Sequence, residues 1–176
     1  MNDVRSSKVY AVAGGNHVTI VVDARETDGE FDLIEVLAQP GGGPPPHRHA
    51  FAEWFHVLEG KLQILEPSGG GLRPIGSLEA GQSYFVAPWA AHTTRNLGSG
   101  PVRFLVAGRP GTMTGYFAEA GVPVPDPNTV PDTPPPGPEA LTALATRYDI
   151  QFVPVANGQA ESDPQSHAAR RPPRSA

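Results

Sequence analysis

Residues 43–60 read GPPPHRHAFAEWFHVLEG, and the spacing of their charged and aromatic side chains decides how the chain is read. If residues 47–57 form one strand, then His47, His49, Phe51, Glu53, Phe55 and Val57 share a parity and project to one face. The run of prolines at 44–46 suits an extended entry, because each residue before a proline is pushed toward β or polyproline geometry. Such a strand presents two imidazoles and a carboxylate to one space, together with apolar neighbours. A protein metal site usually needs one more donor, and His92 in AHTTRN is the candidate. The other three of the six histidines fit less well: His17 lies in an alternating strand, His56 has the opposite parity, and His167 sits in the polar tail. Three imidazoles and one carboxylate give a mid-row divalent ion four protein ligands and leave one or two positions open, the arrangement of a catalytic or ligand-binding site.

Outward from this stretch, residues 8–108 are a series of short runs rich in Val, Ile, Leu, Phe and Tyr, punctuated by Gly, Pro, Asn and Asp. Short strands at this spacing predict an all-β sandwich or barrel. Leu58–Lys61 reads as a tight reversal and Ser68–Gly71 as a flexible loop tip, so the strands are expected to be joined by hairpins and not by crossovers. Beyond Gly108, GYFAEAGV reads as a short helical turn. The segment VPVPDPNTVPDTPPPGP is a surface connector, able to form neither a helix interior nor a central strand. In PEALTALATRYDI, Pro138 suits a first helical position, and Leu141, Leu144, Ala145 and Tyr148 fall on one face. Ile150 and Phe152 could begin a short edge strand, which Pro154 confines to the sheet margin. The expected organisation is an N-terminal arm at 1–7, a barrel at 8–121, a Pro-rich connector at 122–137, a C-terminal helix and short edge strand at 138–154, and a disordered tail at 155–176.

Composition removes whole classes of function. The 176 residues suffice for one domain with a core. Gly and Pro, at 20 and 21 residues, exclude a helical bundle. A formal net charge of −5, with no basic cluster except the ARRPPRSA tail, argues against nucleic-acid binding. With no cysteine there is neither a disulfide framework nor a thiolate site, so a metal would be held by His and carboxylate alone. No basic-then-apolar leader opens the chain and no apolar run reaches membrane-spanning length, so a soluble cytoplasmic protein is expected.

The residues resemble the cupins, small jelly-roll-like β-barrels with two sequence motifs. The first motif is Gly, five residues, His-x-His, three or four residues, Glu, six residues, Gly, and Gly41, His47, His49, Glu53 and Gly60 fit every position. The second is Gly, five residues, Pro-x-Gly-x-x-His, three residues, Asn. Gly81, His92 and Asn96 fit it, but Ala87 stands for the proline and Trp89 for the glycine. Over roughly residues 8–154 the chain is similar to single-domain quercetin 2,3-dioxygenase-like cupins, although AFA at 50–52 is shorter and more apolar than the acidic segment common there.

What the resemblance implies is an all-β cupin barrel with a short C-terminal helix, binding one divalent metal (Ni, Fe, Mn, Co, Cu or Zn) through His47, His49, Glu53 and His92. Glu53 would also be the catalytic base, taking the enol proton of a phenolic, flavonol-like or polyketide-like molecule before dioxygen attacks it. Phe51, Phe55, Tyr84, Trp89 and Phe104, with Trp54 and Phe85, offer aromatic pocket walls. The same side chains could simply fill a barrel core, the reading favoured for Phe85 and Phe104, and Trp89 could lie at the pocket mouth or pack on the surface. A non-oxidative cyclase, isomerase or dehydratase would use the same ligands, and a non-catalytic binding cupin is the remaining reading. The expected partners are a small-molecule substrate, O2 and a second copy of the chain in a homodimer.

Overall fold

The computed structural model describes residues 7–155. His167 and the tail expected to be disordered fall outside these residues, as does nearly all of the expected N-terminal arm. The described chain folds into strands β1 (Val9–Val12), β2 (Asn16–Val22), β3 (Asp32–Ala38), β4 (His47–His49), β5 (Ala52–Glu59), β6 (Lys61–Ser68), β7 (Gly71–Glu79), β8 (Ser83–Val86), β9 (Thr93–Arg95), β10 (Val102–Arg109), β11 (Val122–Val124) and β12 (Ile150–Phe152). Helices α1 (Met113–Ala120) and α2 (Pro138–Thr146) complete it.

One sheet has the order β11-β1-β2-β3-β10-β5-β8, a second β7-β6-β9, and a third β12-β4. A bridge joins the two small sheets: His47 and His92 exchange both backbone hydrogen bonds, each 2.9 Å. The second wall of the barrel therefore runs β7-β6-β9-β4-β12. Alternation sets what lies between the walls, since β3 buries Asp32, Ile34, Val36 and Ala38 while the residues between them are half-exposed. From the facing wall Leu62, Ile64 and Ile150 close the same core against Val18, Ile34, Phe55 and Phe104.

Several expectations need correcting. Residues 47–57 are not one strand: the ladder breaks at Ala50–Phe51, and β4 and β5 belong to different sheets. The break is held open by hydrogen bonds to other segments, from Trp89 N–H to His49 O at 2.7 Å and from Ala50 N–H to Asp149 O at 3.3 Å. The reversal at Gly60 is no hairpin either. It carries the chain from β5 to β6 in the opposite wall, at φ +82° and so close to Val102 that a Cβ would sit 2.9 Å from its side chain. Gly69–Gly70 makes a true two-residue hairpin between β6 and β7, but β3, β10, β5 and β8 pair across long connections. Within the expected connector, Val122–Val124 forms β11 on β1. As a sheet edge it tolerates Pro123, which has only one neighbouring strand to satisfy.

The C-terminal elements land where their apolar spacing placed them. Leu144 and Ala145 of α2 are buried, and β12 pairs antiparallel with β4, Ile150 opposite His49 and Phe152 opposite His47. The C-terminal segment is thus the strand that braces the His-x-His pair.

Candidate metal centre

Four side chains converge inside the barrel. One donor atom from each of His47, His49, Glu53 and His92 lies within 4.8 Å of the others. His49 and His92 are 1% exposed and Glu53 6%, while His47 is half-buried at the rim. They come from both walls: the β4–β9 bridge brings His47 and His92 together, and Glu53 reaches in from β5, on the face it shares with buried Phe55 and Val57. Breaking the strand at Ala50–Phe51 is what lets consecutive residues serve opposite walls.

Each imidazole is oriented by a backbone carbonyl two residues away. The Nδ1 atoms of His47, His49 and His92 lie 2.9, 2.7 and 3.0 Å from the carbonyl oxygens of Pro45, Phe51 and Ala90. A carbonyl only accepts, so each Nδ1 carries the hydrogen and, in the neutral ring, each Nε2 presents a lone pair. Yet the Nε2 atoms of His49 and His92 both stand 2.9 Å from Glu53 Oε2. Acceptors packed around a carboxylate need a cation or a proton among them. Three imidazole nitrogens and one carboxylate oxygen suit a mid-row divalent ion, and the carbonyl-bound Nδ1–H groups supply the outer hydrogen bonds that fix such ligands.

The electrostatics agree. Burial alone would raise the Glu53 carboxyl, but hydrogen bonds and charge from His49 and His92 outweigh it and hold the group well below the usual carboxylate range. Burial opposes protonation of His92 too, and Glu53 overcomes it to raise that imidazole. Burial, helped by neighbouring His92, brings His47 down to about 4. At neutral pH the cluster therefore holds an ionised carboxylate and a neutral His47, and any proton that Glu53 draws onto His92 would compete with a metal for its Nε2.

The surrounding shell is polar where it holds the loops. Thr93 Oγ1 donates to Pro44 O at 2.6 Å, and the Arg95 guanidinium donates to the same carbonyl, clamping the chain just before His47. Asn96, fully buried, donates to Ala38 O and Gly100 O and accepts from Gly98 N–H. Trp89, in the position where the second motif has glycine, has a left-handed backbone, φ +64°, of the kind glycine adopts without strain.

A cavity of about 150 Å³ opens onto the cluster, and Phe51, Phe55 and Phe104 line it. Phe104 thus serves the cavity as well as the core. Tyr84 and Trp89 do not line it: Tyr84 packs beneath Gly76, and Trp89 is 48% exposed. Trp54 and Phe85 face outward as a cross-strand pair, 40% and 60% exposed, so Phe85 is not the core residue expected. His56 hydrogen-bonds Ser83 and His17 faces Thr129 O, both away from the cluster. The sequence reading missed the rest of the wall, including Asn16, Met113, Tyr116 and Phe117. Helix α1 had no motif to mark it, and α2 and β12 were recognisable only as apolar surfaces that dock.

Comparison with known proteins agrees with this architecture. Residues 34–108 match the family model described as Cupin domain, spanning both histidine segments. Among solved structures, the polyketide cyclase RemF from Streptomyces resistomycificus aligns with a TM-score of 0.52 at 23% identity, over 62% of this chain and 79% of that one. An RmlC-like cupin from Shewanella frigidimarina NCIMB 400 aligns at 0.48 with 17% identity, over 62% and 89% of the two chains. A sugar phosphate isomerase from Silicibacter pomeroyi DSS-3 aligns at 0.45 with 22% identity, over 56% and 61%. No curated protein matches the chain. At these identities the likeness is one of fold: a jelly-roll-like, cupin-type β-barrel with a short C-terminal helix, of which residues 34–108 match the Cupin domain model. Among the described residues no helix is long and apolar enough to cross a membrane.

Proposed function

We propose that this cupin barrel is a metal-dependent oxygenase of small enol-bearing phenolic or polyketide-like molecules. His47, His49, Glu53 and His92 would hold one divalent ion, nickel, iron, manganese, cobalt, copper or zinc. The observation that carries the reading is the pair of 2.9 Å contacts from His49 and His92 Nε2 to Glu53, made by rings whose Nδ1 atoms are already committed to carbonyls. Such a cluster, at the base of an apolar cavity, combines a cation seat with an ionised base.

A divalent ion held by His47, His49, Glu53 and His92 would supply Lewis-acid stabilisation of a substrate oxyanion. The chain's own part is proton transfer and positioning. Glu53, held ionised, accepts the enol O–H proton. Phe51, Phe55 and Phe104 hold the ring against it and keep bulk water out. Oxygen then adds to the electron-rich carbon skeleton and the ring opens, the finer reading drawn from likeness to quercetin 2,3-dioxygenase-like cupins.

The same Glu53 supports a second reading, in which enolisation leads to cyclisation, isomerisation or dehydration without oxygen. Oxygen uptake by metal-reconstituted protein, measured against a panel of enolic phenols and polyketide-like diketones, separates them. Stoichiometric uptake is expected. Full turnover under strict anaerobiosis would replace the oxygenase with the second reading, and failure to retain any metal after reconstitution would sink both.

The chain is further proposed to work as a homodimer. Support comes from β8, a sheet edge whose outward Phe85 sits opposite Trp54 on β5, because an unpaired edge with exposed aromatics is a surface proteins usually cover.

A further inference from the structure

Asn16 is a polar side chain of the cavity with no part in the metal cluster or in holding the loops. It opens β2, is 6% exposed and lines the cavity beside Val12, Val18 and Ala38. Its Oδ1 is sealed from solvent without a donor, and among the described residues its Nδ2 finds no acceptor. The neighbouring glycines keep it there. A Cβ on Gly42 would stand 2.4 Å from the Asn16 oxygen, and one on Gly43 would stand 2.0 Å from Thr94 O, so this part of the loop can only be glycine. Thr94, 5% exposed, lines the same cavity.

Buried amides are almost always paired, and one left unpaired costs stability. In a mostly apolar cavity, an amide held by close packing, its oxygen sealed and its N–H groups unspent, is the pattern of a group that orients a ligand. We propose that Asn16 is a substrate-orienting residue whose amide donates to an oxygen of the substrate other than the enol that faces Glu53. The inference rests on the reading of this cavity as the substrate site and narrows the substrate class. A cavity of about 150 Å³ suits a single aromatic ring, and Glu53 together with the Asn16 amide asks for a ring bearing an enolic hydroxyl and a second acceptor oxygen, such as a carbonyl.

The test uses acetophenone and ethylbenzene, rings of nearly equal shape of which only the first carries an acceptor oxygen. Dissociation constants are measured by ligand-observed NMR on the full chain, as purified and after chelator treatment, for the wild type, Asn16→Leu and Asn16→Ala. The expected result is a roughly tenfold fall in the preference for acetophenone in both variants, with ethylbenzene bound within about twofold of wild type, which also reports an intact cavity. A preference unchanged by both substitutions would overturn the proposal. So would a fall confined to the metal-bearing protein, which would assign the acetophenone contact to the metal, or a wild type that binds neither ring. No turnover is read, so loss of the oxygenase reading alone would leave this result standing.

Discussion

His49 Nε2 lies 2.9 Å from Glu53 Oε2, although the two residues, four positions apart, stand on opposite walls of the barrel. The three residues between them are where the chain changes sheets, and Phe51 serves both sides of the change. Its carbonyl accepts from His49 Nδ1 at 2.7 Å, and its ring stacks on the His49 imidazole at 3.8 Å between centroids. The AFA segment at 50–52 therefore orients a candidate ligand, through Phe51, as well as lining the cavity.

Glu53→Gln separates the two roles given to that side chain. An amide oxygen can still coordinate but cannot take the enol proton, so turnover should fall by about 10²-fold or more while metal content falls only in part. Metal analysis alongside steady-state rates checks this, and full turnover would remove Glu53 as the base.

How much of this was legible beforehand follows the reach of each signal. Motif spacing identified the four candidate ligands, because their residue types and intervals are themselves the signal, and strand alternation identified an all-β barrel. The break at Ala50–Phe51 was invisible because uninterrupted parity gives the same face to His47 and Glu53 as the actual two-strand arrangement does. Asn16 had no signal at all: an Asn after Gly14–Gly15 reads as turn chemistry, and its burial at 6% exposure arises from the Gly42 loop packed against it, far along the chain. Phe85 was misread because alternation within β8 does not say which face is inward, and the strand lies at an edge.

Asp32 offers a test of buried charge away from the cluster. It is fully buried, accepts from Thr114 N–H at 2.8 Å and leaves Oδ1 without a partner. Burial raises its carboxyl above the ordinary 3.8, against the hydrogen bonds from Thr114 that pull the other way. A raised carboxyl binds its proton more tightly in the folded state, so its contribution to stability is present below 3.8 and is lost as pH rises through the higher folded value. Urea titrations from pH 4 to 7 should show wild type losing stability relative to Asp32→Asn as pH rises. A constant difference would contradict the raised value.

The dimer proposal predicts that Phe85→Lys, which places a charge on the exposed edge β8, shifts the protein toward monomer in light scattering. The cavity is lined by other residues, so binding of a ring such as ethylbenzene should be unchanged. An unaltered dimer, or a wild type already monomeric, would move the interface elsewhere or dispense with it.

Trp89 tests how the second motif survives without its glycine. Its φ of +64° lies in the left-handed region, which costs a residue with a Cβ about 1–2 kcal/mol relative to glycine, and its N–H is the donor that holds His49 O at 2.7 Å. The indole is 48% exposed, so truncating it confounds lost packing with relieved strain. Comparing two truncations removes the confusion: Trp89→Gly and Trp89→Ala lose the same ring contacts and differ in the backbone penalty. Trp89→Gly should be the more stable by about 1 kcal/mol in urea unfolding, with metal content at least equal to that of Trp89→Ala, because the relaxed turn still presents its N–H to His49. If the alanine variant proved equally stable, the left-handed turn would not be what the indole strains against, and the motif's glycine would be dispensable for a reason other than tolerance of φ.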